Sequence, residues 1–169
     1  MDKLKHLIKT RRSIRRFKNK NVTGKILLEI IETGIHAPSG LNNQPWKFQF
    51  ITEPGLKKII SGFTLSRYSK IICEAPALIL VYLDEQKIYN RDKDLMSAGA
   101  CIENMLLHIH SKKLGAVWLG EILNKKKMLQ KILDREKNLD LAAVIAVGYP
   151  DEKPKHPGRR NVSSFLLRG

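Results

Sequence analysis

The spacing of apolar residues near the N-terminus predicts two helices. The first is short, ends near Thr10 and has its apolar stripe at Leu4, Leu7 and Ile8. The second has its core face at Ile26, Leu27, Ile30 and Ile31. Thr23 can cap this second helix with its hydroxyl, and the helix should stop before Pro38, because the residue that precedes a proline disfavours the α region. Residues 11–17 leave the first helix.

Four later segments carry strand patterns. In the first of them, Trp46, Phe48 and Phe50 alternate with polar residues, as in a strand with one buried face. The other three are apolar runs, and the one over residues 77–83 has the continuous apolar character of a strand buried on both faces. The remaining two runs cover residues 116–119 and 141–147.

The intervals between the strands carry helical patterns. A short helix is predicted around residues 56–60 and an amphipathic helix over residues 125–133. A long helix between the second and third strands can begin at Asp94, and Gly115 suits its C-terminal cap. Residues 62–72 have no readable pattern. The order helix-helix-strand-helix-strand-helix-strand-helix-strand predicts an α+β or α/β fold with about four central strands.

Length and composition indicate a single domain over residues 1–169. The chain is 43% hydrophobic and 28% charged, which is typical of a globular protein and excludes a disordered one. No apolar run approaches the roughly 20 residues that cross a bilayer, and no apolar leader follows the N-terminus, so we expect no membrane association. Cys73 and Cys101 cannot build a disulfide scaffold or a metal knuckle, which favours a cytoplasmic location.

The positive charge is concentrated at the two ends of the chain. The formal net charge is +15; residues 1–20 hold nine basic side chains and one acidic one, and residues 151–169 hold five and two. Such ends can bind nucleic acid, hold a phosphorylated small molecule, or simply form a solvated lysine-rich surface. Residues 151–169 are also too polar to fold alone, so we expect this tail to lie on another surface, such as a second subunit.

The familiar catalytic and metal motifs are missing from the sequence. It contains neither the glycine-rich dinucleotide fingerprint nor the P-loop, and no H-E-x-x-H. His108 and His110 are two residues apart on a predicted helix and so point to different faces, which suits helix packing better than a metal. No nucleophile, acid or base is assigned and no metal site is expected. If the chain is an enzyme, a cofactor carries the reaction.

Three segments are nevertheless candidates for binding. In an extended stretch Arg11, Ser13 and Arg15 project to one side while Ile14 points to the core, and two guanidinium groups flanking a hydroxyl suit a phosphate monoester. The loop over residues 37–45 offers amide side chains that can hydrogen-bond a heterocycle. The segment 115–121 offers a strand end whose glycine lets the backbone approach a flat ring. Each alone is also compatible with an ordinary basic stretch, loop or core strand.

Taken together, these segments resemble the nitroreductase family of flavin enzymes. The chain carries R-R-S-x-R-x-F at residues 11–17, A-P-S-x-x-N-x-Q-P-W at 37–46, G-x-x-W-L-G at 115–120 and A-V-G-Y-P at 146–150, followed by a basic tail. The resemblance spans nearly the whole chain in the family's order. It implies an α+β fold, a three-layer sandwich with a central, mostly antiparallel sheet flanked by helices. It also implies an intertwined homodimer with FMN at the interface.

The resemblance also implies roles for individual positions. The phosphate and ribityl contacts are assigned to Arg11, Arg12, Ser13 and Arg15. The loop that reaches the flavin from the partner subunit is assigned to Pro38, Ser39, Gly40, Asn42 and Gln44. The backbone segment against the ring is assigned to Trp118, Leu119 and Gly120. A tail arginine that returns to the phosphate is assigned to Arg159 or Arg160, and a contact to the pyrimidine edge is left open among Arg67, Ser69 and Lys70.

The function implied by the resemblance is FMN-dependent oxidoreduction with NADH or NADPH as donor. A nitroaromatic, a quinone or a related small-molecule acceptor is expected to follow the donor by a ping-pong hydride mechanism. The alternatives are other chemistry on the same flavin fold, either reductive dehalogenation or flavin fragmentation, and a basic nucleic-acid-binding module. Nucleic acid is not the expected partner, because aromatic residues do not interleave with the basic run. Compared with the family that the chain resembles, the stretch from Asp84 to Asp94 leaves little room for the helical insertion that often covers the active site, which implies a more open site.

Overall fold

The fold consists of six α-helices and four strands within the residues described by the computed structural model, which are 2–133 and 138–167. Their bounds are α1 Lys3–Thr10, α2 Gly24–Gly34, β1 Trp46–Ile51, α3 Pro54–Ser61, α4 Ser66–Glu74, β2 Ala77–Asp84, α5 Arg91–Ser111, β3 Gly115–Leu119, α6 Lys126–Ile132 and β4 Leu139–Gly148. Short 3-10 turns cover Gly40–Asn42, Glu121–Lys125 and Val162–Phe165.

The four strands form one antiparallel sheet in the order β1-β2-β4-β3. β2 is central and buried along its whole length, as its continuous apolar run predicts. A bulge between Val81 and Tyr82 shifts its register against β4. β3 lies at one edge of the sheet and β1 at the other, so the width of the sheet separates them.

Helices cover both faces of this sheet. Alternate residues of β2 belong to two separate cores: Ile79 packs with α2 and α5, whereas Leu80 packs with α3, α4 and α6. The α+β three-layer sandwich with an antiparallel sheet is therefore confirmed. No helix among residues 2–133 and 138–167 is both long and apolar enough to cross a membrane.

The start of α5 differs from the sequence-based expectation. The helix begins at Arg91 rather than at Asp94, and Asn90 caps it by accepting a hydrogen bond from the backbone N–H of Lys93 at 3.1 Å. Asp94 lies inside the first turn and is completely buried. The helix dipole favours an acidic residue inside the first turn, and an acidic residue is also favoured at the N-terminal cap. The acidic character of Asp94 therefore does not distinguish between these two positions.

The C-terminal cap of α5 was also predicted wrongly. The residue in the left-handed region is Lys113 (φ 59°), and the N–H of Leu114 closes the helix on the carbonyl of Ile109 at 3.1 Å. Gly115 is instead the first residue of β3. A Cβ placed there would lie 2.6 Å from Cγ1 of Ile14, so this glycine is required by close packing and not by backbone conformation.

Two features of the fold carry no signal in the sequence pattern. α4 occupies most of the stretch without a readable pattern, because it begins with polar residues and its buried positions are only Ile71 and Ile72. The second feature is an ion-pair cluster at the start of β4, in which the carboxylate of Asp140 is buried and its two cations are partly exposed. Asp140 accepts hydrogen bonds from Lys126 Nζ at 2.6 Å and from Arg91 Nη2 at 2.7 Å, which ties α5 and α6 to the sheet.

Candidate functional site

The arginine segment, residues 11–15, is held against the start of β3. The backbone N–H of Ile14 donates to the carbonyl of Ala116 at 2.9 Å, and Ser13 and Ala116 form a parallel bridge. Ile14 is 8% exposed and enters the core, as the extended stretch predicts. The close packing of Ile14 against Gly115 fixes the distance between the arginine segment and the strand.

The arginines of this segment project in different directions. Arg11 faces α5, where its Nε lies 3.6 Å from the carboxylate of Glu103. Arg12 Nη1 donates to the carbonyls of Lys9 and Arg11 at the end of α1, and Arg12 lines a cavity of about 390 Å³. The exposed Arg15 folds back, with Nη1 3.4 Å from the carbonyl of its neighbour Ser13. The convergence of Arg11, Ser13 and Arg15 on one ligand therefore stays a prediction, and Arg12 caps the end of α1.

His110 links α1 and α5 beside the arginine segment. Its Nε2 lies 2.9 Å from the hydroxyl of Thr10, and that hydroxyl donates its proton to the carbonyl of His6. Nε2 of His110 is therefore the donor of this pair. Burial lowers the pKa of His110, and the nearby charges of Arg11, His6 and Arg12 lower it further. This histidine packs the two helices together, in agreement with its interpretation as a helix-packing residue.

The far end of β3 offers an open surface. Trp118 is 42% exposed on a strand whose other residues are buried. It lies on the same face of β3 as Ala116, which packs toward α5. Leu119 is buried in the opposite core, and a Cβ added to Gly120 would meet nothing within 4 Å. At about 3.3 Å per residue, Gly120 lies roughly 13 Å along the chain from Ala116.

Glu121, which follows this open end, anchors the segment before α4. Its carboxylate accepts hydrogen bonds from the hydroxyl of Thr64 and from the backbone N–H of Leu65. The bond from Thr64 is the main cause of its lowered pKa, and the cations Lys125 and Arg67 contribute. Of the three candidates for the pyrimidine edge, Arg67 is thus the one whose charge acts on Glu121, next to the end of β3.

The other two candidates on α4 have different surroundings. Lys70 Nζ lies 3.7 Å from the carboxylate of Glu74 one turn further along the helix. The backbone N–H of Ser69 donates to the carbonyl of Leu65 within the first turn. Neither contact brings these residues to the end of β3.

The loop over residues 37–45, which we call the β1 loop, has an unusual backbone. Leu41, Asn42 and Gln44 have φ angles of 54°, 55° and 45°, in the left-handed region that L residues rarely adopt. The hydroxyl of Ser39 accepts a hydrogen bond from the N–H of Gln44 at 3.1 Å. Gly40 packs directly on the ring and hydroxyl of Tyr89, and a Cβ at Gly40 would collide with that ring. Pro38, Leu41, Asn42 and Gln44 are exposed.

The structure does not bring the β1 loop to the arginine segment within one chain. The β1 loop precedes β1 at one edge of the sheet, whereas the arginine segment and Trp118 lie along β3 at the other edge. Three strand spacings of about 4.8 Å separate the two edges by roughly 14 Å. Contact of one ligand with both edges through the β1 loop of a second copy therefore stays a prediction.

The C-terminal tail leaves the sheet beside the arginine segment. Glu152 accepts hydrogen bonds from the backbone N–H groups of Arg15, at 2.5 Å, and Arg16, at 3.2 Å. Beyond this point Arg159 and Arg160 are exposed, and the guanidinium group of Arg160 lies 4.6 Å from the ring centre of Phe165. No contact among the described residues joins these two arginines to Arg11 or Arg15. The tail also exposes four large apolar side chains, Val162, Phe165, Leu166 and Leu167.

Sequence reasoning did not find the acidic partners of these segments. Glu103 and Glu152 each hold part of the arginine segment, and Glu121 anchors the end of β3. Of these three acids, only Glu152 stands out in the sequence, because it is one of two acids in an otherwise basic tail.

The two cysteines are confirmed as unpaired: Cys73 is exposed, while burial raises the pKa of the Cys101 thiol to about 12.

Comparisons with known proteins agree on one family. A model described as the Nitroreductase family matches residues 8–64 and 63–149. YfhC of Bacillus subtilis (strain 168), which carries the provisional name NAD(P)H nitroreductase, is 30% identical over 169 residues, covering 90% of this chain and 87% of the relative. An iodotyrosine deiodinase of Thermotoga neapolitana is 27% identical over 181 residues, covering 93% and 94%. A crystal structure of a provisionally named nitroreductase from Desulfovibrio desulfuricans, in complex with FMN, is similar with a TM-score of 0.94 and 40% identity, covering 100% of this chain and 98% of that one.

Proposed function

The chain belongs to the nitroreductase family, and from this premise we propose that it is an FMN-dependent oxidoreductase that uses NADH or NADPH to reduce nitroaromatic, quinone or related small acceptors. The observation that carries the proposal is the surface along β3. Arginines and a hydroxyl lie near the start of this strand, and an exposed tryptophan and an open glycine lie at its end. The Desulfovibrio relative, in complex with FMN, supports the choice of flavin.

The residues of this surface fit the two ends of FMN. Arg11, Ser13 and Arg15 supply guanidinium and hydroxyl donors for a phosphate dianion, and a tail arginine, Arg159 or Arg160, can add to them. Arg12 contributes charge near the phosphate while its side chain caps α1. The backbone of Trp118, Leu119 and Gly120 would lie against the ring, because no side chain blocks approach at Gly120.

When bound, FMN supplies the redox chemistry by passing electrons from NAD(P)H to the acceptor in turn. The chain's own residues bind and orient it. Arg67 offers a cation near the end of β3 that can stabilise negative charge on the pyrimidine edge. No side chain is required as an acid or base, and we assign no catalytic residue.

A homodimer completes the site in this proposal. The β1-loop residues Pro38, Ser39, Gly40, Asn42 and Gln44 lie at the opposite edge of the sheet from Trp118, so we assign their flavin contacts to the partner subunit. Ser39 and Gly40 are half-buried and the other three are exposed. The apolar side chains that the tail over residues 151–169 exposes can be buried on the same partner. Leu41 at the β1 loop is 87% exposed and is a further apolar side chain that the partner can bury.

A short connection supports broad acceptor use. Only residues 85–90 lie between β2 and α5, and they form turns rather than a covering helix. Access to the flavin is then limited mainly by the dimer itself.

The second candidate function is reductive dehalogenation, which the similarity to the Thermotoga deiodinase favours. Parallel turnover assays with a nitrofuran, benzoquinone and a halogenated phenol distinguish the two, because an open reductase should be most active on the first two.

The visible spectrum of the purified protein tests the proposal. We expect flavin absorbance with one FMN per chain, and bleaching of that absorbance when NADH or NADPH is added without oxygen. Adding a quinone should restore it. A colourless protein that takes up no FMN when titrated would overturn the proposed function, and so would a flavin that neither nucleotide reduces.

A further inference from the structure

We propose that Asn43 and Asp94 form a clamp that holds the β1 loop in the shape it needs to contact the flavin. Asp94 is a positioning residue that acts through Asn43. The inference rests on the proposed function, because the β1 loop carries the proposed flavin contacts of the partner subunit. The clamp itself is a feature of the single chain.

The carboxylate of Asp94 is completely buried and fully engaged. Its Oδ1 accepts a hydrogen bond from Asn43 Nδ2 at 2.8 Å. Its Oδ2 accepts from the backbone N–H groups of Tyr89 at 3.1 Å and Asn90 at 3.2 Å. Burying a carboxylate is costly unless such donors surround it, so its presence at this point needs a reason beyond filling space. Asn90 caps α5 with its side chain, and Asp94 accepts the backbone N–H of this cap residue, so the carboxylate that helps to hold the start of α5 also holds Asn43.

Asn43 fastens the β1 loop to this carboxylate with both hydrogens of its amide. One goes to Asp94, and the other goes to the backbone carbonyl of Lys87 at 3.0 Å. Asn43 lies between Asn42 and Gln44, two of the proposed flavin contacts. It therefore holds both neighbours while its own amide points away into the protein.

The β1 loop needs such a fastening because its backbone is strained. Leu41, Asn42 and Gln44 all adopt left-handed φ angles, and none of them is a glycine. The 3-10 turn over Gly40–Asn42 is too short to hold this shape by its own hydrogen bonds. Leu41 contributes little packing, since it is almost fully exposed. Without the clamp, the loop would relax to other conformations, and binding a ligand would then require ordering it again.

The test compares Asn43→Ala with Asn90→Ala. Asn43→Ala cuts the clamp at a partly exposed site, whereas Asn90→Ala removes the cap of α5 and leaves the contact between Asn43 and Asp94 in place. We expect Asn43→Ala to weaken FMN binding at least tenfold. Asn90→Ala should lower the melting temperature but change the FMN dissociation constant less than threefold. Equal effects of the two variants on FMN binding would overturn the clamp, because helix fraying would then explain both.

Hydrogen exchange of the FMN-free protein separates this inference from the proposed function. The amide of Gln44, which donates to Ser39, should exchange at least tenfold faster in Asn43→Ala than in the wild type, whether or not FMN ever binds. Wild-type protein that takes up no FMN would contradict the proposed function alone. Unchanged exchange at Gln44 would contradict the clamp alone.

Asp94→Asn completes the argument by a double-mutant cycle. The new amide keeps one oxygen for the backbone donors and turns its NH₂ group toward the NH₂ group of Asn43. If the two residues act as one unit, the double variant with Asn43→Ala should bind FMN no more weakly than the weaker single variant. Additive losses would overturn the proposal that Asp94 acts through Asn43.

Discussion

Replacing Arg11 and Arg15 together by alanine should remove FMN binding while the protein stays folded. Hydrogen bonds to a charged group are worth about 1.5–3 kcal/mol each, so the two guanidinium groups account for roughly 3–6 kcal/mol of phosphate binding. Arg11 must loosen its half-exposed ion pair with Glu103, which offsets up to about 1 kcal/mol of this gain. The net loss is then about 2–6 kcal/mol, and we expect the FMN dissociation constant to rise roughly 30- to 20,000-fold, at about 1.4 kcal/mol per factor of ten.

Quenching of FMN fluorescence on titration with protein measures this change. The matched control is Lys5→Ala with Lys18→Ala, which removes the same two charges from exposed positions in the same basic end of the chain. If the proposed contacts are real, the control should bind FMN within about threefold of the wild type. Circular dichroism and the melting temperature report whether each variant is folded.

Two results would refute the reasoning. One is a folded double variant whose FMN dissociation constant stays within about threefold of the wild-type value. The other is an equal loss in the lysine control, which would mean that the diffuse field of the basic end, and not paired guanidinium groups, holds the phosphate.

Three further predictions concern the fold that supports the site. Lys113→Gly should stabilise the protein by about 0.5–1 kcal/mol in urea unfolding, because glycine adopts the left-handed φ at the end of α5 without the cost of a Cβ; a lower stability would contradict this. Gly115→Ala should destabilise by about 1–3 kcal/mol and weaken FMN binding, since its Cβ would push Ile14 and the arginine segment away from β3; unchanged FMN titrations would count against that packing. Burial raises the pKa of Asp140, but its hydrogen bonds with two cations outweigh burial and hold this pKa below the ordinary value of 3.8. The stability that the Asp140 carboxylate adds is therefore present above pH 3.8 and is lost as the pH falls through the pKa of the folded state. In chemical unfolding, Asp140→Asn should lower the free energy of unfolding at pH 6 and much less at pH 2. A difference between variant and wild type that does not change with pH would contradict this prediction.

The sequence predicted the elements whose apolar residues face a core in a regular period. β2 and the helix capped by Thr23 are of this kind, and the hydroxyl of Thr23 does accept a hydrogen bond from the N–H of Ile26. α4 was missed because its first turn is polar and its cap, Leu65, offers no side-chain acceptor. The start and end of α5 were misplaced because Asp94 and Gly115 are used for tertiary contacts that local spacing does not encode.

The candidate site was likewise predictable from the sequence only in part. The motif residues were found from their resemblance to a family, and the entry of Ile14 into the core follows from alternation in an extended chain. The acids that orient them, Glu103 and Glu152, were not found, since each contact joins residues that are far apart in the chain. The separation of the β1 loop from β3 follows from strand order, which a one-dimensional pattern does not determine.

A crystal structure of the protein grown with FMN tests the central claim most directly. We expect the phosphate within hydrogen-bond distance of Arg11, Ser13 and Arg15, and the ring against the backbone of residues 118–120. The β1 loop of a second copy should contact that same ring. A flavin bound elsewhere, or a ring contacted only by one chain, would contradict the account.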